Sequence, residues 1–327
     1  MSDLNNIYAE FGISKKVIDL SEKVLASLEE RFLEIDKNAE FNQMKVLAAM
    51  QKHKVSDIHF AATTGYGYND LGRDVLEDVY ATAFRAEAAL VRPQLVSGTH
   101  ALHVALSGNL RPGDELLSPV GKPYDTLEEV IGIRDSRGSL KEYGVTYSQV
   151  DLLSDGSFDF EGIRKAINEK TKLVTIQRSK GYATRKTLSV EQIGELIKFV
   201  KSIDPKIICM VDNCYGEFVE RIEPIEVGAD MIVGSLIKNP GGTLSTVSRL
   251  PLLRYGLRKY FCLTRCRRLC GIFLRGRGFL FPKVFLSQQL RKKIFPPRRS
   301  FYKLQPFLGV KVLRFHKLCF ALFSPYL

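Results

Sequence analysis

Ile207-Ile208-Cys209-Met210-Val211-Asp212-Asn213 is a run of five apolar residues that ends in an acid and an amide. Apolar at every position rather than at every second one, it reads as a strand buried on both faces, the kind found in parallel sheets. Comparable runs lie at Leu95-Val96, Glu115-Leu116-Leu117, Val145-Thr146-Tyr147, Leu173-Val174-Thr175-Ile176 and Met231-Ile232-Val233, recurring at intervals of roughly 25 to 35 residues. Between them the spacing predicts helices over 99–109, 125–134, 159–169 and 189–203, the last opened by Ser189 with Gln192 three residues on, a capping-box pattern. Strands alternating with helices give an α/β fold with a mostly parallel sheet covered on both faces. Ahead of it, Val17, Leu20, Val24, Leu25, Leu28, Phe32 and Leu33 repeat at three-and-four spacing and predict packing helices within residues 14–52.

In such sheets ligands sit at the carboxyl ends of the strands. Three turns there carry chemistry. Ser97-Gly98-Thr99-His100 would end a strand and open a helix, and the free amides and dipole of a helix N-terminus suit a phosphate. Taken alone it is equally an ordinary capped strand-to-helix turn. Asp212 closes its strand where a carboxylate can face a ligand and keep a pyridine nitrogen protonated, although a turn or cap role fits the same residue. Gly234-Ser235-Leu236-Ile237-Lys238-Asn239-Pro240-Gly241-Gly242 sets one lysine in a glycine-rich turn. A lysine of depressed pKa attacks carbonyls, whereas a solvated loop lysine does not.

The order of these motifs, with Ala62-Thr63-Thr64-Gly65-Tyr66-Gly67-Tyr68, Val91 through Ala101 and Val211-Asp212-Asn213-Cys214-Tyr215-Gly216-Glu217-Phe218, resembles the methionine gamma-lyase-like family, also called aluminium resistance proteins. These are fold-type I enzymes of pyridoxal 5′-phosphate (PLP), with an aspartate aminotransferase-like large domain. The resemblance covers about residues 10–242. It implies Lys238 as the catalytic, cofactor-carrying lysine, Asp212 as partner of the pyridine nitrogen, and Gly98, Thr99 and Ser235 as phosphate ligands. It also implies that Tyr124 stacks on the cofactor ring, and that Tyr66 or Tyr68 reaches the phosphate of a neighbouring subunit in a homodimer or homotetramer. Arg178, Lys180 and Arg185 read as a solvated basic face, with the binding of anionic groups as the alternative. The implied activity is carbon-sulfur lyase chemistry on a sulfur-containing amino acid such as methionine or cystathionine, with another fold-type I activity, aminotransferase or desulfurase, as the alternative.

Composition divides the chain. Its net charge of +12 hides two opposites: all 36 acids precede Gly242, while 19 of the 48 Lys and Arg follow it. The expected organisation is an N-terminal helical segment (1–60), a PLP-binding large domain (61–242) and an aberrant basic tail (243–327) in place of the family's substrate-binding small domain. A shifted reading frame would account for the tail, since codons for Ser245 to Leu250 can be chosen so that a one-base shift spells Ala-Pro-Ser-Ala-Gly-Tyr, close to the family's pattern. Such a tail could leave the chain inactive. Arg265, Arg267, Arg268, Arg291, Lys292, Lys293, Arg298 and Arg299 interleave with aromatics, so a non-catalytic protein with a nucleic-acid-binding tail is the remaining alternative, though nucleic acid is not the expected partner. Of six cysteines none has zinc-site CxxC spacing, and neither a metal nor a disulfide framework is expected. With no uncharged run near the roughly 20 residues that span a bilayer, a cytoplasmic enzyme without a membrane partner is expected.

Overall fold

The computed structural model describes residues 2–61, 70–92, 94–236, 238 and 250–253. The chain divides into two compact units, one reaching to Phe41 and the other beginning at Asn42. The first holds α1 (Ser2–Glu10), α2 (Lys15–Ser27) and the start of α3 (Glu29–Lys52). Of the apolar residues that predict these helices, Phe32 is buried while Val17, Leu20 and Leu33 are exposed.

The second unit is built on a seven-stranded sheet: β1 (Ala88–Ala89), β2 (Glu115–Ser118), β3 (Thr146–Gln149), β4 (Thr171–Gln177), β5 (Ile208–Asp212), β6 (Met231–Gly234) and β7 (Leu250–Leu253). Their order is β1-β7-β6-β5-β4-β2-β3. β6, β5, β4, β2 and β3 are parallel, and β7 enters antiparallel between β6 and β1. The helices are α4 (Leu71–Ala83), α5 (Gly98–Asn109), α6 (Asp125–Ile131), α7 (Phe160–Ala166) and α8 (Val190–Ile203).

Two apolar layers explain the unbroken hydrophobic runs. Cys209 and Val211 of β5, Val174 and Ile176 of β4 and Ile232 of β6 face a core closed by Val46 and Ala49 of α3, Tyr80 of α4, Ile163 of α7 and Leu196 of α8. The alternate residues Ile208, Met210, Leu173, Met231 and Val233 face a second core under α5 and α6. A strand with both pleats buried has no polar side to show, and each such side chain contributes about 1.5–3 kcal/mol.

Leu95-Val96 departs from expectation. The strand of this region is Ala88–Ala89, whereas Leu95 lies in a turn, its amide bonded to the Arg92 carbonyl, and Val96 is exposed. Two apolar residues suffice to bury one side chain in a loop, and nothing in the pair distinguishes that from a strand. α6 stops at Ile131 rather than at 134 because Gly132 adopts φ +95°, a left-handed cap. At α8 the capping box forms as read, Ser189 accepting from the Gln192 amide and Gln192 from the Ser189 amide.

Gly194 of α8 gives a test of this packing, because a Cβ there would lie 2.9 Å from Cβ of Val227. A helical glycine replaced by alanine ordinarily gains about 1 kcal/mol. Here the overlap reverses the sign, and Gly194→Ala is expected to lose about 1–3 kcal/mol in urea unfolding; a gain would show that the layers are looser than described.

Candidate functional site

Register brings the site together. Gln177 pairs with Asp212 across β4 and β5, and Asp212 with Val233 across β5 and β6, so these strands end at one level. Beyond them run three connections: the turn 178–188, the loop 213–223 and the segment that holds Ser235 and Lys238.

Asp212 is buried, and its carboxylate accepts from the Cys214 amide at 3.1 Å. Burial pushes its pKa up, against the opposing pull of the Cys214 hydrogen bonds and of the Lys238 charge. Lys238 stands over the ring of Tyr215, its Nζ 4.0 Å from the centroid. Burial alone would lower the Lys238 pKa, but the nearby acidic groups of Cys214, Tyr215 and Asp212 outweigh it and the net movement is upward. The lysine is therefore a held ammonium when no ligand is bound. Ser235 is 1% exposed, and its Oγ has no hydrogen-bond partner among the described residues. A buried hydroxyl left so costs about 1–3 kcal/mol.

Ser97 caps α5, its Oγ accepting from the His100 amide at 3.0 Å. Gly98 is the first helical residue, with open space where a Cβ would stand. The Thr99 hydroxyl meets that of Thr126 in α6 at 2.8 Å. Tyr124 precedes α6, its amide bonded to Gln177 Oε1 at 2.6 Å and its ring stacked on Tyr182 with centroids 5.5 Å apart. Its hydroxyl donates to that of Tyr182 at 3.3 Å, and this bond, with some burial, pushes the Tyr124 pKa up to about 12. Tyr66 and Tyr68 lie outside the described residues, as do 239–249 and 254–327.

Arg178 corrects the expectation of a solvated basic face. Only 2% exposed, it bonds the carbonyl of Gly216 and Oδ1 of Asn213, both at 2.8 Å, pairs with Glu220, and donates from Nε to the Leu188 carbonyl. Gly216 has to be glycine, since a Cβ would come within 2.5 Å of the guanidinium. Arg185 likewise turns inward to the carbonyls of Gln177 and Ser179, and burial lowers its pKa to about 10.

The sequence reading gave no role to two buried acids of the same loop. Glu217 accepts from the Ser235 amide at 2.6 Å, and Glu223 from the Phe218 amide and the Asn213 side chain. Burial raises their pKa values to about 8 and about 7. An acid in a stretch that also carries glycine and aromatics, Tyr215-Gly216-Glu217-Phe218, is the one signal that could have suggested burial.

The model of the methionine gamma-lyase family matches residues 17–250, most of the chain and all of the site just described. The chain belongs to that family. YnbB of Bacillus subtilis (strain 168), itself uncharacterized, is 56% identical over 214 residues, which are 65% of this chain and 51% of YnbB. A crystal structure of a carbon-sulfur lyase involved in aluminium resistance from Clostridium novyi NT is 45% identical, with a TM-score of 0.76 over 80% of this chain and 63% of that one. A Listeria innocua protein, named as a candidate cystathionine beta-lyase involved in aluminium resistance, is 53% identical with a TM-score of 0.74, over 76% and 61% of the two chains. The chain thus spans about half of YnbB and about three fifths of these solved relatives. The described part shares their α/β fold. Among the described residues no helix is long and apolar enough to cross a membrane.

If Arg178 fastens the 213–223 loop, Arg178→Met should cost about 3–5 kcal/mol, because Glu220 and the Gly216 carbonyl lose a buried cation. Chemical denaturation of the purified variant measures this; a loss below about 1 kcal/mol would mean that the clamp is dispensable.

Proposed function

We propose that this chain binds pyridoxal 5′-phosphate through Lys238 and catalyses carbon-sulfur bond cleavage in a sulfur-containing amino acid. The observation that carries the reading is the meeting, at the ends of β5 and β6, of a buried carboxyl (Asp212), a half-buried ammonium coupled to it (Lys238), and the buried hydroxyl of Ser235, which has no hydrogen-bond partner among the described residues. These three match the three polar parts of that cofactor: a ring nitrogen, an aldehyde and a phosphate. Bound there, the cofactor supplies an electron sink for negative charge at the amino acid's α carbon.

The protein's own groups do the rest. Asp212, whose burial makes an isolated charge costly, gains a cationic N-H to pair with and so remains ionised. Engaging Asp212 in this way offsets the carboxylate charge that helps hold the Lys238 proton. Lys238 is then released to take the α proton and return it, the general-base role for which a lysine must be neutral. Ser235 and Thr99, with the amides at the start of α5, receive the phosphate. Tyr124 lends an aromatic face for the ring, its position set by Gln177 and Tyr182. Loss of a sulfur leaving group as a thiol follows proton removal, and hydrolysis of the remaining unsaturated amino acid by one water would give a 2-oxo acid and ammonia.

The test uses the full chain with added PLP. A visible absorption band is expected, absent in Lys238→Ala, together with turnover of cystathionine or methionine to a 2-oxo acid and ammonia. Lys238→Ala should lower turnover by about 10²- to 10⁴-fold, the range for loss of a general base. No band from folded protein would overturn the cofactor assignment. A band whose amino group is conserved on the cofactor, without ammonia, would overturn the lyase in favour of transamination.

A further inference from the structure

We infer that Glu217 is a positioning residue for the phosphate site: lodged where Gly234 has no side chain, its carboxyl accepts the Ser235 amide and thereby aims the Ser235 hydroxyl. The inference rests on the phosphate-bearing cofactor proposed above. The geometry is specific. Oε1 of Glu217 lies 2.6 Å from the Ser235 nitrogen, and a Cβ on Gly234 would stand 2.9 Å from the same oxygen. Both Glu217 and Ser235 are 1% exposed, so neither can exchange its protein contacts for water. Glu217 arises from the loop after β5 and Ser235 from the end of β6, which makes this bond a cross-link between the loop fastened by Arg178 and the segment that holds Lys238.

A carboxylate beside a phosphate would ordinarily oppose its binding. Burial, and after it the charge of Glu223, hold the Glu217 proton on up to about pH 8, against the pull of the Ser235 amide and Lys238. Among the described residues the other titratable neighbours are the Cys214 thiol and the Tyr80 hydroxyl of α4, both also kept neutral by burial. At neutral pH the carbonyl oxygen of a protonated Glu217 accepts from Ser235 without presenting a charge to the anion. As pH rises through about 8 the carboxylate forms, and like-charge repulsion in a buried setting works against the phosphate. Since the second phosphate pKa is near 6, the ligand stays dianionic throughout that rise.

Glutamine mimics the protonated carboxyl and cannot ionise. The experiment titrates the full chain with pyridoxine 5′-phosphate, whose alcohol cannot condense with Lys238, by calorimetry at about pH 7 and about pH 9, either side of the Glu217 transition. Glu217→Gln is expected to bind within about threefold of the native chain at the lower pH, and Glu217→Ala about tenfold more weakly, a loss of the size of one hydrogen bond. Between the two pH values the native chain should lose about tenfold more affinity than Glu217→Gln, which cancels effects of pH on the ligand and on other groups. Binding by Glu217→Gln as weak as that of Glu217→Ala, or parallel pH profiles for the native chain and Glu217→Gln, overturns the positioning role. Should Glu217→Ala fail to fold, the glutamine comparison decides alone. Failure of the native chain itself to bind pyridoxine 5′-phosphate, while folded, overturns the cofactor reading instead and takes this inference with it.

Discussion

The buried guanidinium of Arg178 is the contact on which the site depends. Parallel strands end in connections that have no ladder of their own, and the 213–223 loop contains two residues, Tyr215 and Phe218, at positive φ (68° and 60°). Left-handed backbone is costly for aromatic side chains. Arg178 offsets that cost by fixing the Asn213 side chain and the Gly216 carbonyl on either side of Tyr215. From α3, Asn42 donates to the carbonyls of Phe218 and Glu220, while Phe84 packs against Phe218. A loop held at so many points can keep Tyr215 under Lys238 and Glu217 against Ser235, which a mobile loop could not.

The same loop concentrates buried ionisable groups. Asp212, Cys214, Glu217 and Glu223 all have pKa values raised by burial, and one basic side chain, Lys238, is coupled to Asp212, Cys214 and Glu217. Three potential negative charges around one ammonium, with Glu223 beside Glu217, would repel each other strongly if all were ionised. Burial, which favours the neutral form of each, lets the set coexist. Arg178 serves here as well, since its positive charge opposes the rise at Glu223.

What could be read in the sequence follows from what periodicity reports. β2, β4, β5 and β6 appear as apolar runs because both their pleats are buried, and α8 because its capping box is local. Asp212 stands out as the acid that closes such a run, and Lys238 as a lysine in the glycine-rich turn that follows another. Arg178 also follows a strand, β4, yet it reads as surface, because arginine is rarely buried and its partners lie 10 to 42 positions away. Tyr182 was invisible for a similar reason: its contact with Tyr124 joins two loops that the sheet brings together over a separation of 58 residues. Glu217 sits within a motif yet shows no role in the sequence, since only the glycine across the β6 end shows what its carboxyl does.

β7 lies beyond the point at which the composition changes, and it shows which kind of structure tolerates such a change. Leu250–Leu253 pairs with all four residues of β6, Gly234 opposite Leu250 and Met231 opposite Leu253. A ladder is made by backbone groups, so it makes few demands on residue type, apart from proline. Pro251 stands opposite Val233, past the end of β1, which reaches only Leu252 and Leu253; its missing N-H therefore leaves no gap in the β1 ladder. Binding a substrate asks for more, because it requires particular side chains at particular distances. β6 can thus be flanked on both sides, by β5 and β7, and Ser235 held at its end, under a much weaker constraint on sequence than the one that sets substrate choice. In the function proposed, cofactor binding and turnover would be separable for that reason: the first would draw on the strand ends and the 213–223 loop, and the second would also need whatever recognises the amino acid.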